Sequence, residues 1–200
     1  MSLLGFITEG HESEPRVVKA QLALAANTAR NTSVASPLWA LAAAILCSTG
    51  AFGHVSFAKS LFVPLAVTAA MGAAALMATA YEHYNDDEGD TNSWLQCFVM
   101  IQVFGSFAWG WLPWLCWEPG NGLNHIFLAA CVMAVIAGLV VARGSNTKMY
   151  FANLLPLSLM ASVRFIFGES FTDMVMGVLA PFVAFQITPL SSRRWASRLK

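Results

Sequence analysis

Residues 61–81 read LFVPLAVTAAMGAAALMATAY, a run with no charged side chain. Its length matches the roughly 20 residues an α-helix needs to cross a bilayer core, where each backbone polar group must be bonded within its own segment. The stretch is expected to be a transmembrane helix. Gly72, Ala73, Ala74 and Ala75 are small enough to let neighbouring helices approach closely, so the helix is expected inside a bundle.

Working outward, similar apolar blocks occupy residues 34–52, 94–117, 125–142, 150–168 and 171–189. Between them lie EHYNDDEGDTNS, EPGNGLN and RGSNTK, which are polar or rich in turn formers, and a short break at Gly168 and Glu169. The fold class is therefore all-α, a polytopic membrane bundle of about six transmembrane helices. Pro37 sits in an opening turn, where a missing N–H costs little. Pro156 and Pro181 fall inside their blocks, where each frees a carbonyl that a neighbouring helix must satisfy, so both spans are expected to bend.

Ahead of the first block, residues 15–31 read PRVVKAQLALAANTARN, which mixes apolar and basic residues over several helical turns. This reads as an amphipathic helix lying in the membrane interface. Glu9, Glu12 and Glu14 and the lack of a continuous apolar core argue against a cleavable signal peptide. The expected organisation is a cytoplasmic segment at 1–33, a six-span domain at 34–189 and a basic cytoplasmic linker at 190–200.

Only 11% of the 200 residues are charged and 57% are hydrophobic, against about 25% charged in an average soluble chain. Lys plus Arg equals Asp plus Glu at 11 each, so no net basic charge points to nucleic acid. The distribution is uneven. Arg16, Lys19, Arg30, Arg143, Lys148, Arg193, Arg194, Arg198 and Lys200 fall on one face of the six-span topology, while the opposite connectors carry only Lys59. Basic residues are retained on the cytoplasmic side, which places both termini there. Cys47, Cys97, Cys116 and Cys131 show no CxxC pairing and read as packing thiols.

Arg164 lies inside the fifth block, where a charge is costly unless it pairs or snorkels. Glu169 and Asp173 are the nearest acids in sequence. Asn153, Pro156, Met160 and Arg164 share a helical face by spacing, as do Gln102, Ser106, Trp109 and Pro113. Gln102, Ser106, Trp109, Asn153 and Arg164 are the candidate ligand-binding residues. The tryptophans at 109, 111, 114 and 117 also read as an aromatic belt, with Trp114 and Trp117 at the bilayer surface. His54 and His125 fall at the same depth as Cys47, Cys116 and Glu118, but no metal-ligand spacing joins them. The acidic run Asp86, Asp87, Glu88 and Asp90 lacks the EF-hand pattern and reads as a solvated connector. There is no nucleophile elbow, P-loop, HExxH or dinucleotide fingerprint, so no catalytic residue and no cofactor is assigned.

The lead-in AQLALAANTARNTSVAS, the stretch FAWGWLPW and the run MYFANLLPLSLMASVRFIFG, in that order, resemble the N-terminal membrane region of bacterial sensor proteins that precedes histidine kinase, GGDEF or EAL output domains. SSRRWASRLK is similar to the basic junction that leads into such an output. The acidic connector after the second block departs from the family pattern. The resemblance implies a sensory and anchoring module of the bacterial inner membrane, acting as a homodimer and driving phosphotransfer or cyclic-di-GMP turnover by a domain beyond Lys200. A small transporter or channel, with Gln102, Asn153 and Arg164 along its path, and a structural subunit of a membrane complex are the alternatives.

Overall fold

The computed structural model describes residues 15–84, 91–143, 146–179 and 181–182. Among them the secondary structure is entirely helical: α1 Pro15–Thr32, α2 Ala35–Ser48, the single turn α3 Phe57–Ser60, α4 Phe62–Tyr84, α5 Thr91–Gly110, the short α6 Leu112–Leu115, α7 Gly122–Arg143, α8 Thr147–Ile166 and α9 at residues 171–179. Among the described residues, four helical stretches are long and apolar enough to cross a membrane: Phe57–Tyr84, Thr91–Leu115, Gly122–Leu139 and Lys148–Ile166. A fifth is added if α1 and α2, which meet at a bend of 44°, count as one broken span. The acidic run at 86–90, the linker at 190–200 and most of the last expected span beyond 179 lie outside the described residues.

Each helix buries one stripe. In α1 it is Leu22, Ala25, Ala26 and Ala29; in α4 it is Val63, Val67, Met71, Ala74, Ala78 and Tyr81. These are the three- and four-residue steps that align side chains on one helical face. The opposite faces leave large apolar side chains uncovered, among them Leu76 (74% exposed), Trp39 (73%) and Phe104 (63%). Apolar patches of this extent are unusual on a water-soluble monomer and are compatible with a membrane protein.

The buried stripes form two cores. One joins α2, the first half of α4, α6, α7 and α8 around Val67, Leu112, Leu128, Ile136 and Leu157. The other lies where α1 crosses the far half of α4 and the start of α5, around Leu22, Ala26, Ala78, Phe98 and Met149. The end formed by residues 49–56, 116–121 and 167–170 is called the cap end below.

Three expectations change. The apolar face of α1 is covered by α4 and α5 rather than being free to enter a bilayer surface, and Arg30 makes a bidentate ion pair with Glu82. The first apolar block forms only the 14 residues of α2, about 21 Å at 1.5 Å per residue against a core of about 30 Å. In α4, a Cβ on Gly72 would meet nothing within 4 Å and Ala73 is exposed, so Ala74 alone of the small cluster is fully buried. Close approaches occur elsewhere. A Cβ on Gly110 would lie 2.7 Å from Sδ of Met160, where α5 crosses α8.

Candidate functional site

Gln102 and Ser106 project from α5 one turn apart, and α8 meets that face with Asn153. Nδ2 of Asn153 donates to Oε1 of Gln102 at 2.9 Å and to the Met149 carbonyl at 3.3 Å. The Ser106 hydroxyl donates to the Asn153 carbonyl and lies 3.3 Å from its Oδ1. Pro156 explains part of this arrangement. Lacking an N–H, it leaves the Ala152 carbonyl without its helical donor and loosens the turn to which the Asn153 carbonyl belongs. All three side chains are buried, and among the described residues Nε2 of Gln102 has no hydrogen-bond partner. Buried donors without a partner are rare because their desolvation goes uncompensated.

Ser106 and Asn153, with Gly105 and Trp109, form the floor of a cavity of about 610 Å³. One wall is α2, with Trp39, Ala42, Ala43 and Leu46; the other is α7, with Phe127, Ala130, Ala134 and Gly138. Trp39, Ala42, Ala130 and Ala134 are exposed at its rim, so the groove opens sideways through the apolar flank of the bundle. The Phe52 ring stacks on Phe127 at 4.1 Å and 8°, at the groove's cap end. Thus four of the five predicted ligand residues converge: Gln102, Ser106, Trp109 and Asn153.

Arg164, the fifth, is at the cap. Its guanidinium lies 3.8 Å from the centroid of the Trp117 ring. The His125 ring stacks on the same indole at 3.7 Å and 20°. Two groups so close to one ring centre must occupy opposite faces, giving a layered arginine, tryptophan and histidine stack. Among the described residues Arg164 has no ion pair with Glu169 or Asp173; the π-face takes that role. Trp117 is thereby buried and is not a member of a surface belt, whereas Trp111 and Trp114 are exposed. The Trp114 indole N–H donates to the Met160 carbonyl at 3.0 Å.

Below the stack, Nδ1 of His125 is 2.9 Å from Oδ1 of Asp173, and Nε2 is 2.9 Å from the Glu118 carbonyl. A backbone carbonyl only accepts, so Nε2 carries a hydrogen. A further proton must then lie between Nδ1 and Oδ1, or two lone pairs would oppose each other. The pair is an imidazolium with a carboxylate, or an imidazole with a carboxylic acid, and is neutral overall in either form. Both side chains are almost fully buried. Asp173 also opens α9: its Oδ2 accepts from the Ser170 N–H, and its own N–H donates to the Ser170 hydroxyl, both at 3.1 Å. This reciprocal box is written in the sequence as Ser-x-x-Asp before an apolar run, a signal the motif reading passed over.

Glu118 ties the neighbouring loops together. It accepts from the His54 N–H at 3.2 Å and from Nδ2 of Asn121 at 2.6 Å, while the buried Asn124 donates to the Cys116 carbonyl at 3.0 Å. His54, His125, Cys47, Cys116 and Glu118 do gather at one end, as their depth implied. Among the described residues, however, no three His, Cys, Asp or Glu side chains are placed to hold a metal ion. No family model, curated protein or solved structure matches the chain.

Proposed function

We propose that the chain is the sensory and anchoring module of a bacterial inner-membrane signalling protein, with both termini in the cytoplasm. The observation that carries this reading is the position of α8. It supplies Asn153 to the groove floor and Arg164 to the cap, and it packs against α9, the helix that leads toward the basic C-terminal segment. A Cβ on Gly177 of α9 would lie 3.0 Å from the Ser162 carbonyl of α8 and 2.9 Å from the Ile166 nitrogen, so the two helices are in backbone-level contact.

A ligand in the groove that favours one bend of α8 over another would shift the population of α9 positions, which is all that signalling of this type requires. In this reading the chain crosses six times. The bent α1–α2 pair provides the first crossing, α4, α5, α7 and α8 the next four, and the apolar block read from the sequence at residues 171–189 the last. A homodimer and a kinase or cyclic-di-GMP output beyond Lys200 complete the proposal; the module itself performs no catalysis.

A transport path is less favoured because it requires Arg164 to line the same route as Gln102 and Asn153. Arg164 instead lies eleven residues along α8 from Asn153, about 16 Å at 1.5 Å per residue, stacked on Trp117.

The orientation is tested by fusing green fluorescent protein or alkaline phosphatase after Lys200. Fluorescence without phosphatase activity is expected, and the reverse pattern would sink the proposal. Signalling is tested by fusing a diguanylate cyclase at the same junction and comparing Asn153→Leu with the parent chain. Equal output at equal membrane level would count against a sensory role for the groove.

A further inference from the structure

We infer that the groove between α2 and α7 is a binding site for a neutral lipophilic molecule bearing a hydroxyl group, taken up sideways from the bilayer. The first support is volume. Protein interiors are packed so closely that voids rarely exceed a water molecule, whereas small-molecule sites typically hold about 300–1,000 Å³. The groove, at about 610 Å³, is of the second kind.

The second support is what the walls are made of. Ala130, Ala134 and Gly138 fall one turn apart on α7, and Ala42 and Ala43 face them from α2. Small-residue stripes of this sort ordinarily let two membrane helices touch. Here the helices remain apart, α2 packed on α4 and α7 on α8. The small side chains therefore enlarge a gap instead of closing one.

The third support sets the chemistry of the occupant. Among the described residues no Asp, Glu, Lys, Arg or His lines the groove, so none of them compensates a phosphate, an ionised carboxylate or an ammonium in a low-dielectric setting. The floor is polar all the same. Ser106 has committed its one hydrogen to the Asn153 carbonyl, and both Nδ2 hydrogens of Asn153 are directed at Gln102 and Met149. What the floor retains are lone pairs, on Oγ of Ser106 and Oδ1 of Asn153. Lone pairs call for a donor, which a hydroxyl provides and an ester, ether or ketone does not. An alcohol or phenol is the simple uncharged group that supplies one.

The test uses the full chain purified into phosphatidylcholine nanodiscs and 1-hexadecanol carrying a mid-chain diazirine, with its methyl ether as the matched probe that cannot donate. On illumination the alcohol is expected to label peptides of α2 and α7, to be displaced by excess hexadecanol, and to label at least tenfold more than the ether. Ala134→Trp and, separately, Ala42→Trp are expected to abolish labelling. Leu76→Trp, at an exposed position on α4 outside the groove, is expected to leave it unchanged, with monodisperse elution required of all three variants.

Equal labelling by alcohol and ether would mean that ordinary lipid chains fill the groove, and it would overturn the inference. So would labelling that survives both tryptophan substitutions. The binding site rests on the sensory reading only for the ligand's role as a cue. Specific labelling without any change in fused cyclase output would overturn the sensory reading and leave the site standing, whereas absent labelling would overturn the site whatever the output does.

Discussion

The cap and the groove are both polar places in an apolar bundle, yet they are finished differently. At the cap, His125, Asp173, Glu118 and Asn124 each have partners, Arg164 is stacked, and the rings pack face to face. Behind Asn153, on the floor of a groove of about 610 Å³, Gln102 keeps a donor that is unmatched among the described residues. A satisfied network holds elements in one arrangement, and a network one partner short beside a cavity has room for a ligand. The contrast is the ground for proposing that the cap holds and the groove receives.

The largest expected effect would come from breaking the cap. Asp173→Ala removes the partner of a buried, doubly bonded histidine and the box that starts α9, and should cost about 3–5 kcal/mol, as for other buried pairs stripped of one member. Unfolding of the variant in detergent, followed by tryptophan fluorescence, measures this. A change below about 1 kcal/mol, the range of exposed pairs, would mean that the cap does not hold α9.

The groove should respond in another way. Asn153→Leu alone leaves Oε1 of Gln102 without its donor, while Ser106 keeps the backbone carbonyl of residue 153, and is expected to cost about 1–3 kcal/mol. Adding Gln102→Leu removes a second polar group and should recover part of the loss, since replacing both partners by apolar groups can be nearly neutral. A double-mutant cycle decides: strictly additive losses would show that the two amides are not coupled. Hexadecanol labelling should fall in both variants even where stability returns, separating the groove's role from the bundle's fold.

The smallest effect is expected at Arg30 and Glu82. Their ion pair is bidentate but nearly half exposed, so Arg30→Ala should cost no more than about 1 kcal/mol. A loss of 3 kcal/mol or more would place this pair in the same class as the cap and blur the distinction.

Helices were legible from the sequence because a 21-residue run such as 61–81 has one way to satisfy its backbone in an apolar solvent, and that way is local. The grouping of Gln102, Ser106 and Trp109 on one face was equally local, following from a 3.6-residue period. The face that each helix buries was harder to read. In a soluble protein the buried side announces itself by contrast with a polar side, but α4 is apolar over most of its length, which left Gly72 looking like a contact; Trp117, in the loop before α7, looked like a surface residue because its partners Arg164 and His125 come from other segments.

By itself, then, the sequence determined that the chain is a set of apolar helices with a few polar residues at defined depths. Only the tertiary structure decided that α5 faces α8, which brought Asn153 to Gln102 and Ser106. It also decided that Arg164 leaves that group for Trp117 and that Asp173 closes on His125. The physical reason is that helical periodicity sets which residues share a face, whereas the partner of that face is chosen by packing between segments far apart in the chain, such as the 51 positions separating Gln102 from Asn153.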